Sequence, residues 1–156
     1  MGRQKVLNLS RVPRKFIDDP DFVTLMKTLH LGAAAGSQRL YVNIDHVKPG
    51  AKSVKYHVHS RQEEFFLILQ GTGVLRIDGK RIAVKKGDFV AKPAGKGIAH
   101  QFINTGLEIL QILDCGLKEA GDIVTYPDEN VALIPSMERA FRGGAALKNW
   151  SSDPNG

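Results

Sequence analysis

The residues best placed to do chemistry lie in one stretch, HVHSRQEEFFLILQG, residues 57 to 71. It opens with His57 and His59, two imidazoles separated by a single residue. Side chains two apart on an extended strand share a face, so both rings project together, most simply into a barrel interior. After a short polar turn over 60–63, Glu64 opens a new strand with Phe66 and Ile68 on its face. Glu63 competes for the same role, but alternation sends it to the opposite face and leaves it as a turn or surface charge. Two imidazoles and a carboxylate from neighbouring strands form part of a coordination sphere for a borderline divalent metal. A fourth ligand should lie elsewhere, and the block GDFVAKPAGKGIAHQFIN, 87–104, supplies His100 near the start of a strand containing Phe102. An HxH pair alone is weak, since partly solvated histidines at a strand end read the same way. The glutamate and the second histidine block make the metal reading the stronger one.

These two blocks together resemble the paired motifs of the cupin superfamily. Gly50, His57, His59, Glu64 and Gly71 match the first motif, and Gly87, Pro93, Gly95 or Gly97, His100 and Asn104 the second. The spacing departs from the usual pattern between Gly50 and His57 and between Pro93 and His100, and neither departure removes a ligand. The flanks are similar to those of small single-domain bacterial cupins of the cupin_2-like type. The resemblance implies an all-β double-stranded β-helix, a jelly-roll barrel, and a dimer in which sheets of two subunits pack together. It implies His57, His59, Glu64 and His100 as the metal ligands. Three imidazoles and a carboxylate suit Fe(II), Mn(II), Ni(II), Co(II) or Zn(II) and leave positions open for substrate or water. Iron would permit dioxygen chemistry, whereas zinc or manganese would polarise a carbonyl or activate water.

The elements that must position these residues follow from periodicity. Val6, Leu7, Leu9, Val12, Phe16 and Ile17 alternate with basic residues in an N-terminal arm suited to packing on the barrel or on a second subunit. Asp19-Pro20 reads as an N-cap and first helical residue, and Phe22, Leu25, Met26 and Leu29 follow at helical spacing before Gly32. This predicts a short helix over about 20–31. From Arg39 the period becomes two, with Tyr41, Asn43, Asp45 and Val47 on one face and His46 on the other. Strands are expected over 54–59 and 64–69. A hairpin is expected over 74–84 about Asp78-Gly79, the dipeptide favoured by a type I′ turn. Residues 100–103 are expected to pair with 107–113 across Asn104-Thr105-Gly106. Many short strands separated by glycine turns indicate a barrel or sandwich. The organisation expected is an arm and helix over 1–36, a barrel over 37–116, and an extension over 117–156 packing on the barrel or a partner subunit. That extension should add an edge strand and a tail anchored by Trp150.

Composition narrows the function classes. The 156 residues give one domain, 42% apolar and 24% charged, as in ordinary globular proteins. The single Cys115 excludes an intramolecular disulfide and reads as a buried small hydrophobe. No apolar run reaches membrane-spanning length and no signal core opens the chain, so the expected location is cytoplasmic. The net charge of +6 is spread without an aromatic-interleaved stripe, which argues against nucleic acid and for attraction of a small anionic ligand. Phe66, Ile68 and Phe102 are the candidate apolar pocket, with Tyr41, Tyr56 and Lys92 as candidate polar contacts. The expected function is metal-dependent chemistry on a small polar or anionic molecule, of the sugar-derivative isomerase or dioxygenase type. A non-enzymatic sugar- or metabolite-binding barrel is the alternative.

Overall fold

A computed structural model describes residues 6–19, 22 and 25–156. Its architecture is all-β. One wall is a six-stranded sheet in the order β1-β2-β3-β10-β5-β8. These strands are β1 (Ile17–Asp18), β2 (Met26–His30), β3 (Leu40–Val47), β5 (Glu64–Gln70), β8 (Phe89–Lys92) and β10 (Leu110–Leu117). Facing it is a three-stranded sheet of β7 (Lys80–Lys85), β6 (Thr72–Ile77) and β9 (His100–Ile103). A His57–His100 bridge joins β9 to a third sheet, ordered β14-β13-β12-β11-β4. That sheet comprises β4 (Val58–His59), β11 (Val124–Tyr126), β12 (Val131–Ile134), β13 (Arg139–Arg142) and β14 (Ala145–Ala146). No helix among the described residues is long and apolar enough to cross a membrane.

Alternation sorts the chain into an inside and an outside, and the inside itself is graded. On β3 the inner face runs from buried Val47 through Asp45 and Asn43 to Tyr41. On β5 it runs from Ile68 through Phe66 to Glu64, and on β10 from Leu110 through Ile112 to Asp114. Register aligns these gradients, pairing Val47 with Leu110, Asp45 with Ile112 and Asn43 with Asp114. One end of the barrel is therefore apolar, where Val47, Ile68, Leu75, Phe102 and Leu110 form the core, and the other is polar. The Asp78-Gly79 hairpin is as expected, with both residues at positive φ (47° and 72°), as a type I′ turn requires.

Four expectations need correction. Of the predicted helix, residues 20, 21, 23 and 24 lie outside the described residues, and 26–30 is strand β2, paired with β3 along its length. The helix α1 is confined to Leu31–Ala35. Pairing won because it buries Thr28, whose hydroxyl donates to Asp45 at 2.6 Å, and packs Met26 on the core. The strand expected over 54–59 shortens to β4, with isolated bridges at Lys52 and His57. Strands β9 and β10 do not pair. The former joins β6 and the latter lies between β3 and β5. Asn104 makes this crossing between walls, its buried amide donating to Val47 O and Glu108 O and accepting from Gly106 N. Finally, the extension adds four strands rather than one edge strand. Trp150 anchors its tail, packing edge-on to Tyr126 and donating to Glu129 at 2.7 Å.

Candidate metal centre

Three elements bring the ligand candidates to the polar end of the barrel. His57 and His100 face each other across the bridge, exchanging both backbone hydrogen bonds, which sets their rings 4.5 Å apart. His59 follows on β4, and Glu64 enters from the opposite wall as the first residue of β5. The donor atoms of His57, His59 and Glu64 all lie within 4.8 Å of one another. His100 is not one of that mutually close set, although its Nδ1 lies 4.0 Å from Glu64 Oε2. Glu63 is exposed, and His46 lies on the outer face of β3, opposite to the inward Asp45.

The surroundings prepare these groups to bind a cation. His57 Nδ1 donates to Lys55 O at 2.8 Å, leaving Nε2 as the free lone pair. Burial, then the neighbouring His59, pushes His57 down to about 4. Burial first, and His57 next, holds His100 well below the ordinary histidine range. Both rings are neutral at neutral pH, the form that ligates a metal. His100 Nδ1 is buried without a hydrogen-bond partner. Glu64 Oε2 likewise accepts no hydrogen bond, and its neighbour is the Lys92 ammonium at 2.5 Å, an ion-pair contact. A buried polar atom without a partner is rare, and the His100 nitrogen beside the Glu64 carboxylate makes an electron-rich pair of the kind that suits a divalent metal.

Sequence reasoning missed several participants. Asp122 takes His59 Nδ1 at 2.6 Å and also accepts from Ser60 Oγ, Arg61 N and Gln62 N. Burial works to raise its pKa, yet the hydrogen bonds from His59, Arg61 and Ser60 together hold it below the usual carboxylate range. Gln62 Nε2 lies 3.3 Å from Glu64 Oε1 and 3.4 Å from His59 Nε2, over the lone pairs of the site. Asp45 and Asp114 line the same cavity, of about 330 Å³. Burial raises Asp45 to about 6, and burial followed by Asp45 and Glu64 raises Asp114 well above the carboxylate range. Tyr41 donates to Asp114 at 2.9 Å and approaches Glu64 at 3.2 Å; burial and these carboxylates push its phenol up. Alternation could have revealed both aspartates, since Asp45 shares its face with the buried Val47 and Asp114 follows Leu110 and Ile112 on theirs. Asp122 carried no local signal.

The candidate pocket residues divide. Phe66, Phe102 and Tyr41 line the cavity beside the ligand group. Ile68 lines a separate apolar cavity, and Lys92 is sealed behind Glu64. Tyr56 belongs elsewhere, its hydroxyl accepting from Gly79 N and its ring under the Arg76 guanidinium.

A family described as Cupin domain matches residues 43–116. The structure of a sugar phosphate isomerase from a cupin superfamily, from Silicibacter pomeroyi, superposes with a TM-score of 0.75 at 26% identity over 96% of each chain. A predicted oxalate decarboxylase from Thermotoga maritima gives 0.53 at 27% identity, covering 60% of this chain and 81% of that one. An uncharacterized protein of Methanocaldococcus jannaschii is 36% identical over 69 residues, 44% of this chain. The chain spans about half, 53%, of that curated relative. The double-walled barrel, its bridged histidines and these matches agree: residues 43–116 match a Cupin domain, and the fold is similar to that of a structure from the cupin superfamily.

Proposed function

We propose that this protein is a metal-dependent cupin that isomerises a small hydroxylated carbonyl compound, a sugar derivative. His57, His59, Glu64 and His100 hold the metal. The observation that carries the reading is the convergence of three imidazoles and the Glu64 carboxylate with proton-bearing groups in one cavity. A volume near 330 Å³ suits a small metabolite. A divalent ion there would supply Lewis-acid polarisation of a carbonyl or hydroxyl oxygen. This chain's own residues do the rest. Asp114, whose carboxyl burial pushes well above the usual range, and Tyr41 hydrogen-bonded to it can pass a proton to and from substrate oxygen. Asp45, near neutrality, is the group whose charge state can change during turnover. Phe66 and Phe102 exclude water from the inner side, and Lys118 at the lining attracts an anionic substituent. The likeness to the Silicibacter isomerase supports the substrate class, and a cytoplasmic homodimer belongs to the same proposal.

The test is elemental analysis of protein purified without chelators, beside a His57→Ala, His59→Ala variant. Near-stoichiometric zinc or manganese, lost in the variant and accompanied by turnover of an aldose–ketose phosphate panel, supports the reading. Iron with dioxygen consumption would move it to oxygenase chemistry. Equal emptiness of both proteins after reconstitution would overturn the ligand assignment. Metal without turnover would leave a binding protein.

A further inference from the structure

We infer that Asp45 seats a protonated amine of the substrate, so that the sugar derivative proposed above is an amino sugar; the rest of the substrate rests on that reading. The cavity at the metal centre is lined by three carboxylates, Asp45, Glu64 and Asp114, against a single ammonium, Lys118. A carboxylate withdrawn from water needs a counter-charge or a proton. Glu64 has its own cation, the Lys92 ammonium at 2.5 Å. Asp45 and Asp114 have none, for among the described residues neither forms an ion pair. The basic groups that act on them are already committed, Lys92 to Glu64 and His30 to Asp18 at 2.6 Å. Burial therefore lifts Asp45 to about 6, and a proton stands where a cation is missing.

Geometry favours an ammonium in that place. Asp45 lies opposite Ile112 and Asp114 opposite Asn43, so the two aspartates are diagonal neighbours on one inward face, about 7–8 Å apart. Thr28 donates to Asp45 Oδ1 at 2.6 Å and Tyr41 to Asp114 Oδ1 at 2.9 Å. The Oδ2 atom of each is left without a hydrogen bond among the described residues. An ammonium carries three donors and no acceptor, and two free carboxyl oxygens in one cavity wall are its complement. Asp114 offers an acceptor oxygen in either protonation state, so Asp45 supplies the charge. A metal ion suits the pair less well. Among the described residues the three-donor cluster is His57, His59 and Glu64, and neither aspartate belongs to it. Lys118, exposed and without an ion pair among the described residues, is left for an anionic substituent of the same molecule.

The experiment titrates chelator-treated protein at neutral pH with glucosamine phosphate, N-acetylglucosamine phosphate and glucose phosphate. Binding is followed by calorimetry and by methyl resonances. We expect the free amine to bind about tenfold or more tighter than either relative, the gain from one charge-assisted hydrogen bond. The Ile112 methyls, in the cavity and paired with Asp45, should shift, while those of Leu75 in the separate apolar cavity stay unmoved. Asp45→Asn keeps an oxygen for Thr28 and should bring the three affinities within about twofold of one another. Asp45→Ser serves as the second variant if the first misfolds, and the wild-type comparison needs no variant. Equal binding of the three ligands by wild type, or no binding of any, would overturn the amine seat. So would tighter binding of the N-acetylated form, or a preference that survives in a folded Asp45 variant. Every reading is taken without metal. Failure of metal loading or turnover would therefore sink the isomerase and leave this result, whereas a missing amine preference would leave the metal centre intact.

Discussion

Replacing Asp122 by asparagine removes one feature of the metal centre and leaves the rest in place. The carboxylate accepts the His59 Nδ1 proton at 2.6 Å through Oδ2, while Oδ1 accepts from Arg61 N at 2.8 Å and Ser60 Oγ at 3.1 Å. An amide can keep the Oδ1 contacts but presents an NH2 group to His59. The ring must then carry its proton on Nε2, the nitrogen 3.5 Å from Glu64 Oε1, and loses the lone pair that would ligate. Loss of such a supporting partner typically weakens metal binding 10- to 100-fold, or about 1.4–2.8 kcal/mol. The forfeited charge-assisted hydrogen bond should cost about 1.5–3 kcal/mol of stability. Competition with a chromogenic chelator reads the first effect and thermal unfolding of the metal-free protein the second. If Asp122→Asn bound metal within twofold of wild type, the tautomer argument would be wrong, even with stability reduced.

Other outcomes follow from the same structure. Asp45 rises from 3.8 to about 6 on folding, so the native state binds its proton more tightly and loses stability as pH climbs through that window. His57, lowered from 6.5 to about 4, acts in the opposite sense, its contribution being lost as pH falls through that range. Asp45→Asn should therefore gain on wild type between pH 4 and 6, by about 3 kcal/mol, and steepen the acid-side rise; parallel melting curves would count against this. Gln62→Ala removes an amide that competes for His59 Nε2 and Glu64 Oε1, and should tighten metal binding a few-fold in the same chelator competition. Leu110, fully buried between the walls, should cost about 3 kcal/mol or more on substitution by alanine, measured by urea unfolding.

What could be read from the sequence was what strand alternation encodes. It placed Glu64 inward and Glu63 outward, put Tyr41, Asn43, Asp45 and Val47 on one face, and located the Asp78-Gly79 turn. It failed where long-range pairing decides. Residues 26–30 carry a helical spacing that also serves a strand once β3 offers an edge, and the pairing with β3 together with the Thr28–Asp45 contact decides for the strand. Residues 100–117 look like a hairpin, and the crossing depends on Asn104 finding carbonyls on two sides of it. The ligand types were visible as spacing. Asp122, 63 residues from its histidine, was not, because no local pattern ties a carboxylate to a ring so far away. The polar and apolar halves of the interior emerged only when register aligned three strands.

The stitching of the far C-terminal region to the ligand strand bears on how the protein is made. His59 pairs with Val124, Lys55 N donates to Ser152 O, and Lys52 exchanges hydrogen bonds with Asn155 across 103 residues of chain. A ribosome delivers His57 and His59 long before the residues that fix their strand. During synthesis the two imidazoles sit on a segment with only part of its framework, and the segment settles once residues 122–155 have emerged. Contacts so distant in sequence form slowly. A chain stalled before them would carry the histidines and the glutamate yet hold them loosely, and the stretch over 122–155 acts as the clasp that turns a cluster of donors into a fixed one.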